Sequence, residues 1–238
     1  MFEIDFSAKK WLYLMQTTRD EFEKRLKEVD LYFTALAPLD DCTCCIESKS
    51  IQGVINRLPI DPELNKILKA NGFILLYNLI EATIRNTIRA ISDKINDEGV
   101  TYQDFSENLK RLWVNHNFKE VDKHTDRHEF VAPILHKLVN NQFLKFEEES
   151  VSISGNIDAK KVRDLAKRIG YKEPKNGRQL VTIKEKRNQL AHGDKTFAEI
   201  GRDYTVKELL EIKKSLKAFI EEVLDNVQDY IDSKVYKK

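Results

Sequence analysis

An all-α fold is what this sequence predicts, and three observations carry the expectation. Glycine and proline are scarce, 8 and 5 in 238 residues, while charged residues make up 33%, a composition of long solvated helices and not of a turn-rich sandwich. Apolar residues recur at steps of three and four over long stretches. A hydrophobic share of 41% is enough to bury a core. The 40 basic and 39 acidic residues leave a net charge of +1, so any basic surface must be local.

From Leu12, the positions Met15, Phe22, Leu26, Val29, Phe33 and Leu36 form a heptad-like stripe, with Arg19 in the one slot that breaks it. This predicts a long amphipathic helix that packs along another long helix, within the chain or across a dimer. Pro38 ends it. Residues 37–60 read as an irregular connection carrying Cys42, Cys44 and Cys45, three crowded thiols that suit a reducing compartment. Zinc held by these with His124 and His128 is the weaker alternative, since the cysteines and histidines lie far apart in sequence; no metal is expected.

Asp61 followed by Pro62 marks a cap and a first-turn proline. The helix that follows is expected to run to about Ile95 with a break near Gly72. Its apolar residues, Ile74, Leu75, Leu79, Ala82, Ile84 and Ile88, are too widely spread for one face, which predicts burial. Asn78, Glu81 and Arg85 then stand out as polar groups at depth: either a buried network or support for a site.

Two shorter helices are expected at Thr101–Phe118 and His128–Phe146, around a polar loop with Asp122, Lys123 and His124. Val151 to Ile153 reads as a short strand or extended link, and the all-α fold is expected to hold at most one short strand or hairpin. Asp158 caps and Gly170 stops the next helix. Another starts near Gln179 and ends at Gly193, and Thr205 with Glu208 forms a capping box for a last helix lined by Leu209, Ile212, Leu216, Phe219, Val223 and Tyr230. We take residues 1–238 as one domain: 1–60 as the long helix and Cys-bearing connection, 61–238 as a bundle. The opening MFEIDFSAKKW has no basic start with an apolar stretch, and no apolar run approaches a bilayer span of about 20 residues; the expected location is the cytoplasm, without a membrane. No P-loop, dinucleotide loop, H-E-x-x-H or G-x-S-x-G is present among the 238 residues, so NTPase, dehydrogenase, zincin and hydrolase readings have no support.

The segment Arg187, Asn188, Gln189, Leu190, Ala191, His192 is the one that carries chemistry. Its plain reading is a surface arginine and a helix-ending histidine. It resembles the R-N-x-x-x-H core of the HEPN superfamily (higher eukaryotes and prokaryotes nucleotide-binding). The YNLIEATIRN helix at 77–86, ISGNIDAKKVRDLAKRIG at 153–170 and the motif followed by GDKTFAEIGRDYTVKEL are similar to HEPN-like nucleases of microbial defence loci, in the same order. The resemblance implies a helical bundle with long N- and C-terminal helices, pairing as a homodimer so that two motifs face one cleft. It also implies endoribonuclease activity without metal or cofactor, in a toxin or antiphage effector with an antitoxin or defence partner. A non-catalytic HEPN-type dimer binding nucleotide, RNA or a partner protein is the alternative. Some HEPN toxins continue as H-x-Y, a site of silencing by nucleotidyl transfer; Asp194 stands there instead.

These residues suit the implied chemistry. Cleavage of RNA by its own 2'-hydroxyl needs a proton removed, a proton delivered to the leaving 5'-oxygen, and charge stabilised on phosphorus. An imidazole such as His192 moves protons near neutral pH, and the forked guanidinium of Arg187 matches a phosphate, with Asn188 beside it. Five residues of separation on a helix turn two side chains about 140° apart. Either the helix ends at the motif, or Arg from one copy serves His of the other; we favour the second. Residues 158–188 hold eleven Lys or Arg against four Asp or Glu, a local excess that fits a phosphate-backbone footprint. Lys160, Lys161, Arg163, Lys167, Arg168, Lys184 and Lys186 are the candidate RNA contacts.

Overall fold

The structure is a computed structural model that describes residues 6–40, 45–119, 121–123, 126–151 and 155–238, with side chains at 6–14, 40 and 122 outside the description. Leu12 as a packing residue, Cys42, Cys44, His124, Ile153 and the Asp122 side chain therefore lie outside the described residues. Among the described residues, eight α-helices and one hairpin follow in order: α1 Phe6–Leu36, β1 Cys45–Lys49, β2 Ile55–Pro59, α2 Pro62–Asp97, α3 Glu107–Asn117, α4 Arg127–Val139, α5 Ala159–Ile169, α6 Gln179–Ala191, α7 Phe197–Arg202 and α8 Val206–Asp232. The chain divides into two compact units, Met1–Glu21, Ala82–Asn176 and Phe219–Lys238 in the first, Phe22–Glu81 and Gly177–Ala218 in the second.

In the first unit, Ile84, Ile88, Ile91 and Ile95 of α2 are buried, as are Leu109, Leu112 and Trp113 of α3, Val162, Leu165 and Ile169 of α5, and Phe219, Val223, Val227 and Tyr230 of α8. Two aromatic polar groups of this core are matched: the Trp113 indole donates to Lys145 O at 3.2 Å and the Tyr230 hydroxyl to Ile169 O at 3.1 Å. Asn96 clasps the Phe146 backbone, donating at 2.9 Å and accepting at 2.7 Å. Arg19, the odd residue of the α1 stripe, pairs with Asp225 at 2.7 Å, so the slot that breaks the apolar series is used by an ion pair. The α5 ends are set as expected. Asp158 accepts from the Lys161 N–H at 2.9 Å, and Gly170 sits at φ +104°.

In the second unit the rest of the α1 stripe, Phe22, Leu26, Val29, Phe33 and Leu36, is buried, together with Phe73, Leu76, Tyr77 and Ile80 of α2, Leu180, Ile183 and Leu190 of α6, Ile200 of α7, and Leu209, Ile212 and Leu216 of α8. The Tyr32 hydroxyl donates to Leu68 O. Thr205 and Glu208 make the expected capping box, with bonds of 2.7 and 3.2 Å.

Several expectations are corrected. The helix does not break at Gly72, since α2 runs unbroken; a Cβ there would meet the Phe33 ring at 3.2 Å, so this glycine makes room for an aromatic. Residues 37–60 are not irregular throughout but hold the β1–β2 hairpin. The helix expected from Thr101 begins at Glu107, and the one expected to reach Phe146 stops at Val139. Val151 ends a 3-10 turn, Glu148–Val151, instead of forming a strand. By length and composition α2 is long and apolar enough to cross a membrane, though half of its most apolar stretch is buried inside the protein. α7, which the periodicity did not reveal, is fixed by a second capping box between Thr196 and Glu199.

Candidate functional site

α6 closes at Ala191, which puts Arg187 and Asn188 in its last turns and makes His192 the C-cap residue, at φ −90° and ψ −7°. The His192 N–H donates to Asn188 O at 2.9 Å. Gly193 follows at φ +75°, a left-handed value that only glycine adopts freely. The helix thus ends at the motif, the first of the two ways in which the divergence of Arg and His can be relieved.

Arg187 is held from three sides, all within the second unit. Its Cζ lies 4.1 Å from the centroid of the Tyr77 ring, its Nη1 donates to Asn188 Oδ1 at 3.0 Å, and its Nη2 is 3.9 Å from Glu81 Oε2. Tyr77 and Glu81 are four residues apart on α2 and so share a face. The Glu81 contact is an ion pair too long for a hydrogen bond. A partly exposed pair contributes about 0–1 kcal/mol, against about 0.5–2 kcal/mol for stacking on an aromatic face. The fully buried Tyr77 ring is therefore the main constraint: it supports one face of the guanidinium, whose side chain keeps 28% of its surface exposed. The His192 side chain is exposed and takes part in no hydrogen bond or ion pair among the described residues. One cation is fixed and one imidazole is unengaged, five residues apart.

The sequence profile of the HEPN_MAE_28990-like HEPN family matches residues 14–236. The chain belongs to this HEPN family. No curated protein and no solved structure matches it. Membership agrees with the all-helical architecture and suggests a nuclease or nucleotide-binding domain.

Of the three polar residues expected at depth in α2, only Glu81 is partly buried, and only it is seen against Arg187; Asn78 and Arg85 are exposed. The expectation fails because the apolar spread of α2 leaves two outward positions that its broad pattern conceals. Tyr77, which the sequence reading did not single out, is the residue that fixes Arg187 most closely. Its one signal was the spacing of four from Glu81.

The candidate RNA contacts of the HEPN chain fall into two sets. On α6, Lys186 Nζ sits 5.8 Å from the Tyr204 ring centroid, and Tyr204 meets Phe73 edge-on at 4.8 Å. Burial, then the charges of Asp203, Glu208 and Glu185, raise the Tyr204 phenol, which keeps it a neutral partner for the lysine. Lys184 is half-buried and engaged. On α5, in the first unit, Lys161 donates to Gly155 O at 2.8 Å, Arg163 to Asn176 O at 3.0 Å, and Lys167 is 3.5 Å from Glu173. Arg163 thereby fastens the loop before α6. Lys160 and Arg168 are exposed, with no side-chain partner among the described residues.

No cluster of three His, Cys, Asp or Glu that could hold a metal ion occurs among the described residues. Cys45 is exposed at the start of β1.

Proposed function

We propose that this HEPN chain is a metal-independent endoribonuclease of a toxin or antiphage system, acting in the cytoplasm as a homodimer under the control of a partner protein. The observation that carries the reading is the pairing of a clamped, part-exposed Arg187 with an unengaged His192 at one helix end. The ribose 2'-oxygen attacks the adjacent phosphorus while an imidazole takes its proton. The bond from phosphorus to the 5'-oxygen breaks, and an imidazole returns a proton to that oxygen. The products are a 2',3'-cyclic phosphate and a free 5'-hydroxyl. Arg187 stabilises the charge on the phosphoryl oxygens, preorganised by Tyr77, Glu81 and Asn188. Two copies supply the two imidazoles, one as base and one as acid. Lys184 and Lys186, with Lys160, Lys161, Lys167 and Arg168, bind the phosphate backbone; Arg163 contributes charge at short range while holding its loop.

The test is cleavage of mixed RNA by the purified protein in EDTA, with the new ends sequenced. Cyclic phosphate ends from the wild type, lost in His192→Ala, support the mechanism. Intact RNA under every condition removes the enzyme reading. The local uses of Arg187 favour one second reading, a non-catalytic dimer in which the arginine fixes α6 against α2. There, RNA or partner-protein binding survives His192→Ala unchanged.

A further inference from the structure

The β1–β2 hairpin is built unlike the rest of the chain. All ten strand residues are exposed, including Ile46, Ile55 and Leu58 at 51%, 51% and 64%. A lone two-stranded ribbon is marginal in water, and both of its edges invite another strand. The two edges differ. The Ser50 N–H donates to Val54 O at 2.9 Å, so by the alternation of an antiparallel ladder the main-chain groups of Ser48 and Ile46 face β2, while those of Cys45, Glu47, Lys49 and Ile51 face outward. On β2 the outward groups are those of Ile55, Arg57 and Pro59. Pro59 has no N–H to give, and Arg57 is the one charged residue there.

We propose that two copies of this chain join through β1, edge to edge and antiparallel, with Ser48 on the two-fold axis. Of the symmetric registers open to residues 45–51, this one sets Glu47 of each copy opposite Lys49 of the other. Opposite charges across a strand pair stabilise it, whereas centring on Glu47 or on Lys49 places like charges face to face. The same register makes Glu47 and Lys49 a hydrogen-bonded pair, as their outward main-chain groups require, and sets Cys45 opposite Ile51. Charge and hydrogen-bond parity agree on one arrangement. The Glu47–Arg57 pair within each hairpin, at 2.9 Å, remains intact. The result is a four-stranded sheet closed by two-fold symmetry. It uses no residue of the Arg-His motif, so the nuclease reading stands or falls separately.

The test is disulfide trapping in a variant with Cys42, Cys44 and Cys45 changed to Ser. In this register the two Ser48 Cα atoms form a non-hydrogen-bonded pair about 4.5 Å apart, inside the range a disulfide spans. Mild oxidation of Ser48→Cys should move the protein to twice its mass on a non-reducing gel. Glu47→Cys should not, its two copies lying beyond the roughly 7 Å limit. In sedimentation equilibrium, Lys49→Glu should raise the dissociation constant of this edge-to-edge contact about tenfold, by turning two attractive pairs repulsive. Failure of Ser48→Cys to cross-link, or equal trapping of Glu47→Cys, overturns the arrangement. RNA cleavage by the same proteins is scored independently.

Discussion

Replacing Gly201 with alanine is the sharpest test of the second unit. A Cβ at Gly201 would stand 1.8 Å from Lys66 O and 2.6 Å from Lys66 C, whereas carbon and carbonyl oxygen ordinarily come no closer than about 3.3 Å. Nothing flexible can yield, because the obstructing atoms are the backbone of α2 inside its helical hydrogen-bond ladder. Relief needs a shift of about 1.5 Å between α7 and α2, given that ordinary contact distance. That shift would loosen Ile200, which is fully buried and contributes about 1.5–3 kcal/mol by its burial. With overpacking itself costing about 1–3 kcal/mol, the loss should be about 3–5 kcal/mol; the gain from a better helix former, up to about 1 kcal/mol, offsets only part of it. Guanidinium denaturation followed by circular dichroism reads this as a midpoint lower by about 1 M, for a slope of about 4 kcal/mol per M. Gly193→Ala is the control, since a Cβ there meets nothing within 4 Å and suffers only the left-handed backbone, about 1–2 kcal/mol. A Gly201→Ala protein within about 1 kcal/mol of wild type would refute the close approach of α7 to α2.

In the first unit, burial pushes the Glu98 carboxyl up, but hydrogen bonds from Lys237, Lys94 and Tyr236, with the charge of Lys94, bring it down to about 2. The folded value is below the unfolded one, so the stabilisation is complete above the ordinary value of 4.5 and lost as pH falls toward 2. After allowance for solvent screening it is about 2 kcal/mol. Glu98→Gln should therefore be less stable than wild type at pH 7 and close to it near pH 2, checked by melting temperature across pH. Arg187→Lys gives up the fork and the stacked plane. On the nuclease reading, turnover should fall about 100-fold while stability changes by no more than about 2 kcal/mol, read by single-turnover cleavage and denaturation together. Asp158→Ala removes the cap of α5 and should cost about 1 kcal/mol, measured the same way.

Wherever a local rule acts alone, the sequence sufficed. The α1 stripe from Met15 to Leu36, the Asp158 cap with the Gly170 stop, and the Thr205–Glu208 box each depend on residues within a few positions of one another, and each is realised. The motif helix ending at His192 was legible for the same reason, through Gly193. Gly72 misled because intrinsic propensity counts its flexibility against a helix, whereas the space it leaves is filled by Phe33, a residue distant in sequence. The hairpin was invisible to periodicity because neither of its faces is buried, so no alternation of apolar and polar residues marks it. At six residues α7 is too short for a stripe, and only Thr196 and Glu199 could have announced it. The Tyr77–Arg187 contact joins positions more than a hundred residues apart, which no spacing rule reaches. In the sequence a tyrosine in an apolar helix reads as core, which it is; its second use appears only when α6 packs over it.

The exposed imidazole at the end of α6 has an energetic consequence for recognition. A side chain that no neighbour restrains loses about 0.5–1.5 kcal/mol of rotational freedom when a ligand immobilises it. Arg187 incurred that cost at folding, on Tyr77, whereas His192 defers it until something docks. On the nuclease reading, an RNA whose shape or pairing across two subunits orders the histidine would be favoured over one that merely neutralises the arginine. Selectivity would then reside in arranging the imidazole, with the guanidinium serving as a fixed reference point common to every phosphate.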